Sequence, residues 1–218
     1  AGIYSGYPGY ETSIVFDQSM VYDYDNKFKT KKNAIYADFY NVIANVNNII
    51  AHTESKREVI VTPRYYETMR GEALALRAFL HFDLLRLFGP IYKEEPNAKA
   101  IAYRTTYDRV PTPILTAQAV VEAVLKDLHE AEDLLKSSDP LDFFTDPYDE
   151  GYKSKNAFLI NREFRMNLFA VKAMLARVYC YKGDAESKAL ALKYAREVID
   201  ANQHFKLIDA QSAANYNS

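Results

Sequence analysis

The stretch Arg64 to Pro90, RYYETMRGEALALRAFLHFDLLRLFGP, constrains the fold more than any other part of this 218-residue chain. Its apolar positions Met69, Ala73, Leu76, Leu80, Leu84 and Leu87 recur at three- and four-residue steps, and Ala75, Phe79 and Phe82 make a second stripe beside them. A helix that is apolar on two sides must pack between other helices. Thr62-Pro63 supplies an N-cap and a first helical proline, and Gly89-Pro90 stops the helix. Glu72, Arg77, Asp83 and Arg86 are spread along it, with Asp83 and Arg86 three apart and able to meet on the surface. Charges on a buried helix persist when they are paired and hydrogen-bonded, so these residues are expected to be structural partners and not an active site.

Further helices follow from the same periodicity. Ile35, Phe39, Val42, Ile43, Val46, Ile49 and Ile50 predict an amphipathic helix over 33–52. Thr116 caps a helix to about residue 136, with Val120, Val121, Val124, Leu128, Ala131 and Leu135 inward. Asn161 caps a helix through Lys182, stopped by Gly183-Asp184, and Ser187 to Ala201 forms the last one. Residues 1–33 read as an irregular, tyrosine-rich leader, 58–61 as a short extended piece and Tyr92 to Pro113 as a long ordered loop. Ser137 to Lys155 reads as an acidic, turn-rich excursion and 206–218 as a tail. No stretch sustains a two-residue alternation, so the predicted architecture is all-α, a single domain over 1–218 with its helical core at 34–205. The helices are expected to pair as hairpins, 33–52 with 64–88 and 116–136 with 161–182. Ala170, Ala173, Ala176, Leu175, Tyr179 and the Gly183 stop match the first helix of a tetratricopeptide repeat. Ala195 stands where the second helix of such a repeat carries a large aromatic, so the repeat is degenerate.

Composition removes several functions. Lys+Arg 27 against Asp+Glu 29 gives a formal net charge of -2 and no electrostatic footprint for nucleic acid. The lone Cys180 has no partner for an internal disulfide, and its apolar helical setting predicts a buried, inert thiol. No stretch approaches the roughly 20 apolar residues of a membrane span. His52, His81, His129 and His204 fall on different segments without metal-ligand spacing, and His81, between the two apolar stripes, is expected to be a satisfied core residue. No GxSxG, phosphate-cradling glycine loop or paired-carboxylate motif appears, so neither an enzyme nor a cofactor is indicated. Asp139, Asp142, Asp146, Asp149 and Glu150 offer oxygens that suit calcium, but their spacing matches no EF-hand and a solvated loop is expected.

Arg70-x-Glu72-Ala73-x-x-x-Arg77-Ala78-x-x-x-x-Asp83-Leu84-x-x-x-Phe88-Gly89 resembles the signature helix of the SusD/RagB family, surface nutrient-binding lipoproteins of Bacteroidetes-type bacteria. In the same order, so do Tyr40-x-x-Ile43-x-x-x-Asn47-Asn48-Ile49-Ile50, Arg109-Val110-Pro111-x-Pro113, Val121-x-x-Val124-x-x-Asp127-Leu128-x-x-Ala131, Ala170-x-x-Ala173-x-x-Ala176-Arg177-Val178-Tyr179 and Tyr194-Ala195-x-x-Val198-Ile199. The resemblance implies a non-catalytic protein of the outer-membrane surface. It would capture an oligosaccharide, or another nutrient such as a peptide, for a TonB-dependent, SusC-like transporter. It also implies a signal peptide and a lipidated cysteine ahead of the chain, and further repeats beyond it. The last helix would otherwise leave Leu190, Ala191, Tyr194, Ala195 and Val198 uncovered, so the 218 residues are expected to be an N-terminal portion or to be covered by another chain.

In glycan-binding relatives, residues just before the first long helix contribute to the ligand site. Here that position holds Tyr22, Asp23, Tyr24, Asn26 and Phe28, an aromatic platform edged with hydrogen-bonding groups, as a sugar ring requires. The same tyrosines would also serve as a strap filling grooves on the helical surface. The long loop 92–113 is the expected partner-facing surface. A tetratricopeptide-type scaffold that binds protein is the alternative function, since helical pairs and long loops suit it equally.

Overall fold

Five helices make up most of the residues that the computed structural model describes, 26–139, 157–159 and 162–201. They are α1 (Asn26–Ser55), α2 (Tyr65–Phe88), α3 (Ala117–Ser138), α4 (Leu168–Lys182) and α5 (Ala185–Ile199). The all-α expectation holds, with one small addition. Strand β1 (Lys99–Ala102), within the predicted loop, pairs antiparallel with β2 (Ile114–Thr116), just after it, Lys99 opposite Thr116 and Ala102 opposite Ile114, with a shift of register between. Strands of four and three residues are too short to show an alternating pattern.

The chain forms two units, Ala1–Ile43 and Ala44–Ser218. In the first, helix begins at Asn26, so the irregular leader does not extend to residue 33. Neither glycine nor proline stands between Lys27 and Asn33 to stop α1 from running back. Tyr36 and Tyr40, one turn apart, bring their rings to 4.9 Å.

In the second unit the start of α2 differs from expectation. Arg64 occupies the left-handed region (φ 73°) and no side chain caps the helix; the Thr62 carbonyl instead accepts from the Tyr65 N–H at 3.2 Å, which places Pro63 inside a tight turn. The piece before it, expected to be extended, is a 3-10 turn at Arg57–Val59. The two predicted apolar stripes are not both buried. Leu74, Ala75, Ala78, Phe82 and Leu85 are buried with Ala73 and Leu84, whereas Leu76 and Leu87 are 38% and 62% exposed.

The broadest packing of α2 is on α3, not on α1, and α4 packs first on α5 and second on α3. This corrects the predicted hairpin of 33–52 with 64–88, while the predicted pairing of 116–136 with 161–182 is present as the second packing of α4. The Gly183-Asp184 connection is so short that α4 and α5 must be neighbours; Gly183 takes the left-handed conformation (φ 78°) that a side chain resists. Gly71 lets α2 approach α3, since a Cβ there would lie 2.8 Å from Leu135 Cγ. Tyr179 of α4 and Tyr194 of α5 stack at 6.1 Å, and the Tyr194 hydroxyl donates to Glu132 of α3. Tyr194 is therefore an inner residue, contrary to the expectation that it is uncovered, and the large exposed apolar residues of α5 are Leu192 and Ile199.

The caps explain the remaining boundaries. Thr116 accepts from the Ala119 N–H, as expected. Asn167, not Asn161, caps α4: it accepts from the Ala170 N–H at 2.9 Å while its amide donates to the Arg162 carbonyl. A 3-10 turn at Arg162–Phe164 occupies the place of the predicted first helical turn. Asp184 caps α5 by accepting from the N–H and hydroxyl of Ser187. Cys180 is exposed, contrary to expectation, because it follows Tyr179 onto the outward face of α4 that also carries Ala173 and Arg177.

Candidate functional site

Of the five expected ligand residues, Tyr22, Asp23 and Tyr24 lie outside the described residues, Asn26 is the first residue of α1, and Phe28 is a half-buried residue of its first turns. What the structure does build is a polar network that holds the loop after α2. Arg77 donates to both carboxylate oxygens of Asp127 at 2.7 and 2.8 Å, a bidentate pair joining α2 to α3. Its third donor reaches Asn47 Oδ1 on α1 at 3.1 Å. The Asn47 amide then donates to the carbonyls of Arg104 and Thr106, at 3.0 and 3.4 Å. The Tyr103 hydroxyl closes the circuit by donating to Asp127 Oδ2 at 2.6 Å. Asn47, Arg77 and Asp127 are all buried, so one helix each from three separate motifs contributes a group to one interior cluster.

His81 completes this wall. It is fully buried, its ring stacks on Tyr103 at 4.0 Å, its Nδ1–H donates to the Arg77 carbonyl, and its Nε2 accepts from the Arg104 N–H at 2.9 Å. Burial pushes its pKa down to about 4, so the ring is neutral. Burial also pushes the Tyr103 hydroxyl well up, helped by the Asp127 charge. Burial opposes the Arg77 charge, but the bonds to Asp127 outweigh it and keep the guanidinium firmly protonated. Every group here is satisfied, and none is poised to take or give a proton. From this anchor the Arg104 side chain folds the loop tip, donating to the Val110 carbonyl, Thr112 Oγ1 and Asp108. Tyr107 and Val110 are left 58% and 66% exposed.

A second buried cluster fixes the α3–α4 junction. Arg162, fully buried, pairs with Glu72 of α2 and with Asp139 at 2.7 Å, and Asp139 also accepts from the Leu168 N–H at the start of α4. Burial raises the Glu72 pKa against the pull of Arg162 and Arg165. Asp139 is thus an interior partner and not a residue of a solvated acidic loop. Asp142, Asp146, Asp149 and Glu150 lie outside the described residues. Among the described residues no group of three or more His, Cys, Asp and Glu side chains is arranged to hold a metal.

Among the described residues of the second unit, two concavities stand out. One, of about 280 Å³, lies between α1 and the start of α2 and is lined almost wholly by apolar surface around Ile49, Ile60 and Met69. The other, of about 340 Å³, lies where α2 ends, and Arg86, Pro90, Tyr92, Lys93 and Tyr181 border it. Tyr92 and Tyr181 bring their rings to 5.4 Å there. The sequence signal for this second site was faint: Gly89-Pro90 marked a stop, but nothing in the chain paired Tyr92 with Tyr181.

Residues 10–146 match a family model described as SusD-like, starch-binding associating with outer membrane. The SusD-like protein P38 of Formosa agariphila is 28% identical over 158 residues, 71% of this chain and 24% of that protein. A SusD superfamily protein of Bacteroides thetaiotaomicron superposes with a TM-score of 0.65 at 23% identity, over 83% of this chain and 35% of the other. A structure solved with xylogluco-oligosaccharide superposes with a TM-score of 0.58 at 21% identity, over 94% of this chain and 35% of the other. The chain spans about a quarter of the length of the curated relatives it matches.

Proposed function

The chain belongs to the SusD-like family, and from that premise we propose that it is a non-catalytic binding protein of the outer-membrane surface that captures oligosaccharide. The family match carries this reading, and the likeness to a fold solved with xylogluco-oligosaccharide agrees with it. The geometry adds support: the cluster around Arg77 and Asp127 is paired scaffolding that ties the loop after α2 to three helices, and a loop held in this way suits a receptor. No helix among the described residues is long and apolar enough to cross a membrane, and a lipid anchor supplies the attachment. The leader residues Tyr22, Asp23, Tyr24, Asn26 and Phe28 furnish the principal sugar contacts. The exposed loop tip with Tyr107 and Val110 faces a TonB-dependent, SusC-like transporter.

Calorimetry of the chain against a polysaccharide panel tests the capture. A Tyr22→Ala, Tyr24→Ala double variant that kept full affinity would sink the leader assignment. Recovery of an outer-membrane transporter on co-purification supports the partner, and its loss on Tyr107→Ala, Val110→Asp would locate the contact.

A further inference from the structure

The concavity at the end of α2 has the chemistry of a ligand site. Gly89 must turn the chain there, since a Cβ on it would lie 2.6 Å from the Leu85 carbonyl oxygen, and the turn carries Tyr92 back over Tyr181 of α4. The two rings meet at 42°, and Tyr181 is backed edge-on by the buried Phe82 at 5.2 Å. The rings are therefore set before any ligand arrives, which lowers the entropy lost on binding. The volume of about 340 Å³ falls within the range of small-molecule sites, roughly 300–1,000 Å³.

Charge selects the ligand. Among the described residues, the charged side chains bordering the concavity are Arg86 and Lys93, and no carboxylate lines it. Arg86 is only loosely held, 3.7 Å from Asp83, because the same Asp83 oxygen is taken by Arg177 at 3.0 Å. One carboxylate between two guanidinium groups leaves one positive charge unmatched. Burial and the charges of Glu122 and Asp184 raise the Tyr92 hydroxyl pKa, but Glu122 accepts from Gln118 Nε2 at 2.8 Å and Asp184 pairs with Lys182 at 3.6 Å. Arg86 and Lys93, by contrast, border the cavity itself and favour a ligand that brings its own anion.

We propose that this concavity binds an acidic oligosaccharide, with the C–H face of a uronic acid ring on Tyr92 and Tyr181 and its carboxylate on Arg86 and Lys93. It rests on the reading of the chain as a glycan-binding protein and adds a second contact region, separate from the leader.

Calorimetry with oligogalacturonide and, separately, with neutral xylogluco-oligosaccharide tests it, on the wild-type chain and on Arg86→Gln and Tyr92→Ala, each checked for an unchanged circular-dichroism melt. The expected result is oligogalacturonide binding that weakens about tenfold or more in each variant, the size of a lost charge-assisted contact, and that weakens with added salt. Binding of oligogalacturonide that Arg86→Gln leaves unchanged would overturn the site. Binding of the neutral sugar alone would overturn it too while leaving the capture function standing. Failure of the wild-type chain to bind either sugar would count against both.

Discussion

At the scale of single residues, the decisive group is Asp127, which accepts from Arg77 twice and from Tyr103 once in a setting only 4% exposed. Removing Arg77 leaves that carboxylate buried and uncompensated. Arg77→Ala is expected to cost about 3–5 kcal/mol, read from urea unfolding. His81 makes the neighbouring prediction. Its Nε2 must remain an acceptor for the Arg104 N–H, so the folded state resists protonation and its pKa falls to about 4 from an ordinary 6.5. Between those values the unfolded chain binds the proton and the folded chain does not, so stability falls as pH falls through the window and is unaffected by this group above it. The slope is about 1.4 kcal/mol per pH unit. Urea midpoints at pH 7, 5.5 and 4.5 should drop more steeply for the wild type than for His81→Gln, and equal slopes would refute the assignment. Asn47, Arg77 and Asp127 could each be named from sequence as recurrent motif positions. That they meet could not, because they are separated by tens of residues of intervening chain.

Among elements, helices were legible where their signals are local and displaced where a tertiary bond decided. Thr116 needed only the Ala119 N–H three residues on, and Thr116→Ala is expected to cost about 1 kcal/mol in thermal or urea unfolding. Asn161 looked like an equally good cap, but burying Arg162 between Glu72 and Asp139 holds the chain in a 3-10 turn, and the α-helix starts only after Asn167. The α2–α3 pairing has its own test. Gly71→Ala gains helix propensity of up to about 1 kcal/mol but drives a methyl against Leu135, and overpacking costs about 1–3 kcal/mol. A net destabilisation is expected, relieved when Leu135→Ala is added; additive effects of the two changes would deny the contact.

For the molecule as a whole, the consequence of these pairings is that a long connection behaves as part of the core. Tyr103 and Arg104, directly after β1, are tied to α1, α2 and α3, and Ile101 of β1 is 1% exposed. In native-state hydrogen exchange the Arg104 amide, bonded to a buried imidazole, is expected to approach the protection of the α2 core, while Val59 in its exposed 3-10 turn exchanges early. Exchange of Arg104 at the rate of a free loop would contradict the anchored-loop account.

The sequence by itself determined the helical class, most helix ends, the absence of a motif for catalysis and the family, because periodicity, caps and spaced motifs are written in neighbouring residues. Only the tertiary structure decided which helices are partners, which apolar stripe of α2 faces inward, that Cys180 faces outward, and that Tyr92 meets Tyr181. Those depend on where an element's faces point once Gly71 lets two helices close and Gly89 turns the chain, and residues distant in sequence exert that influence only through space.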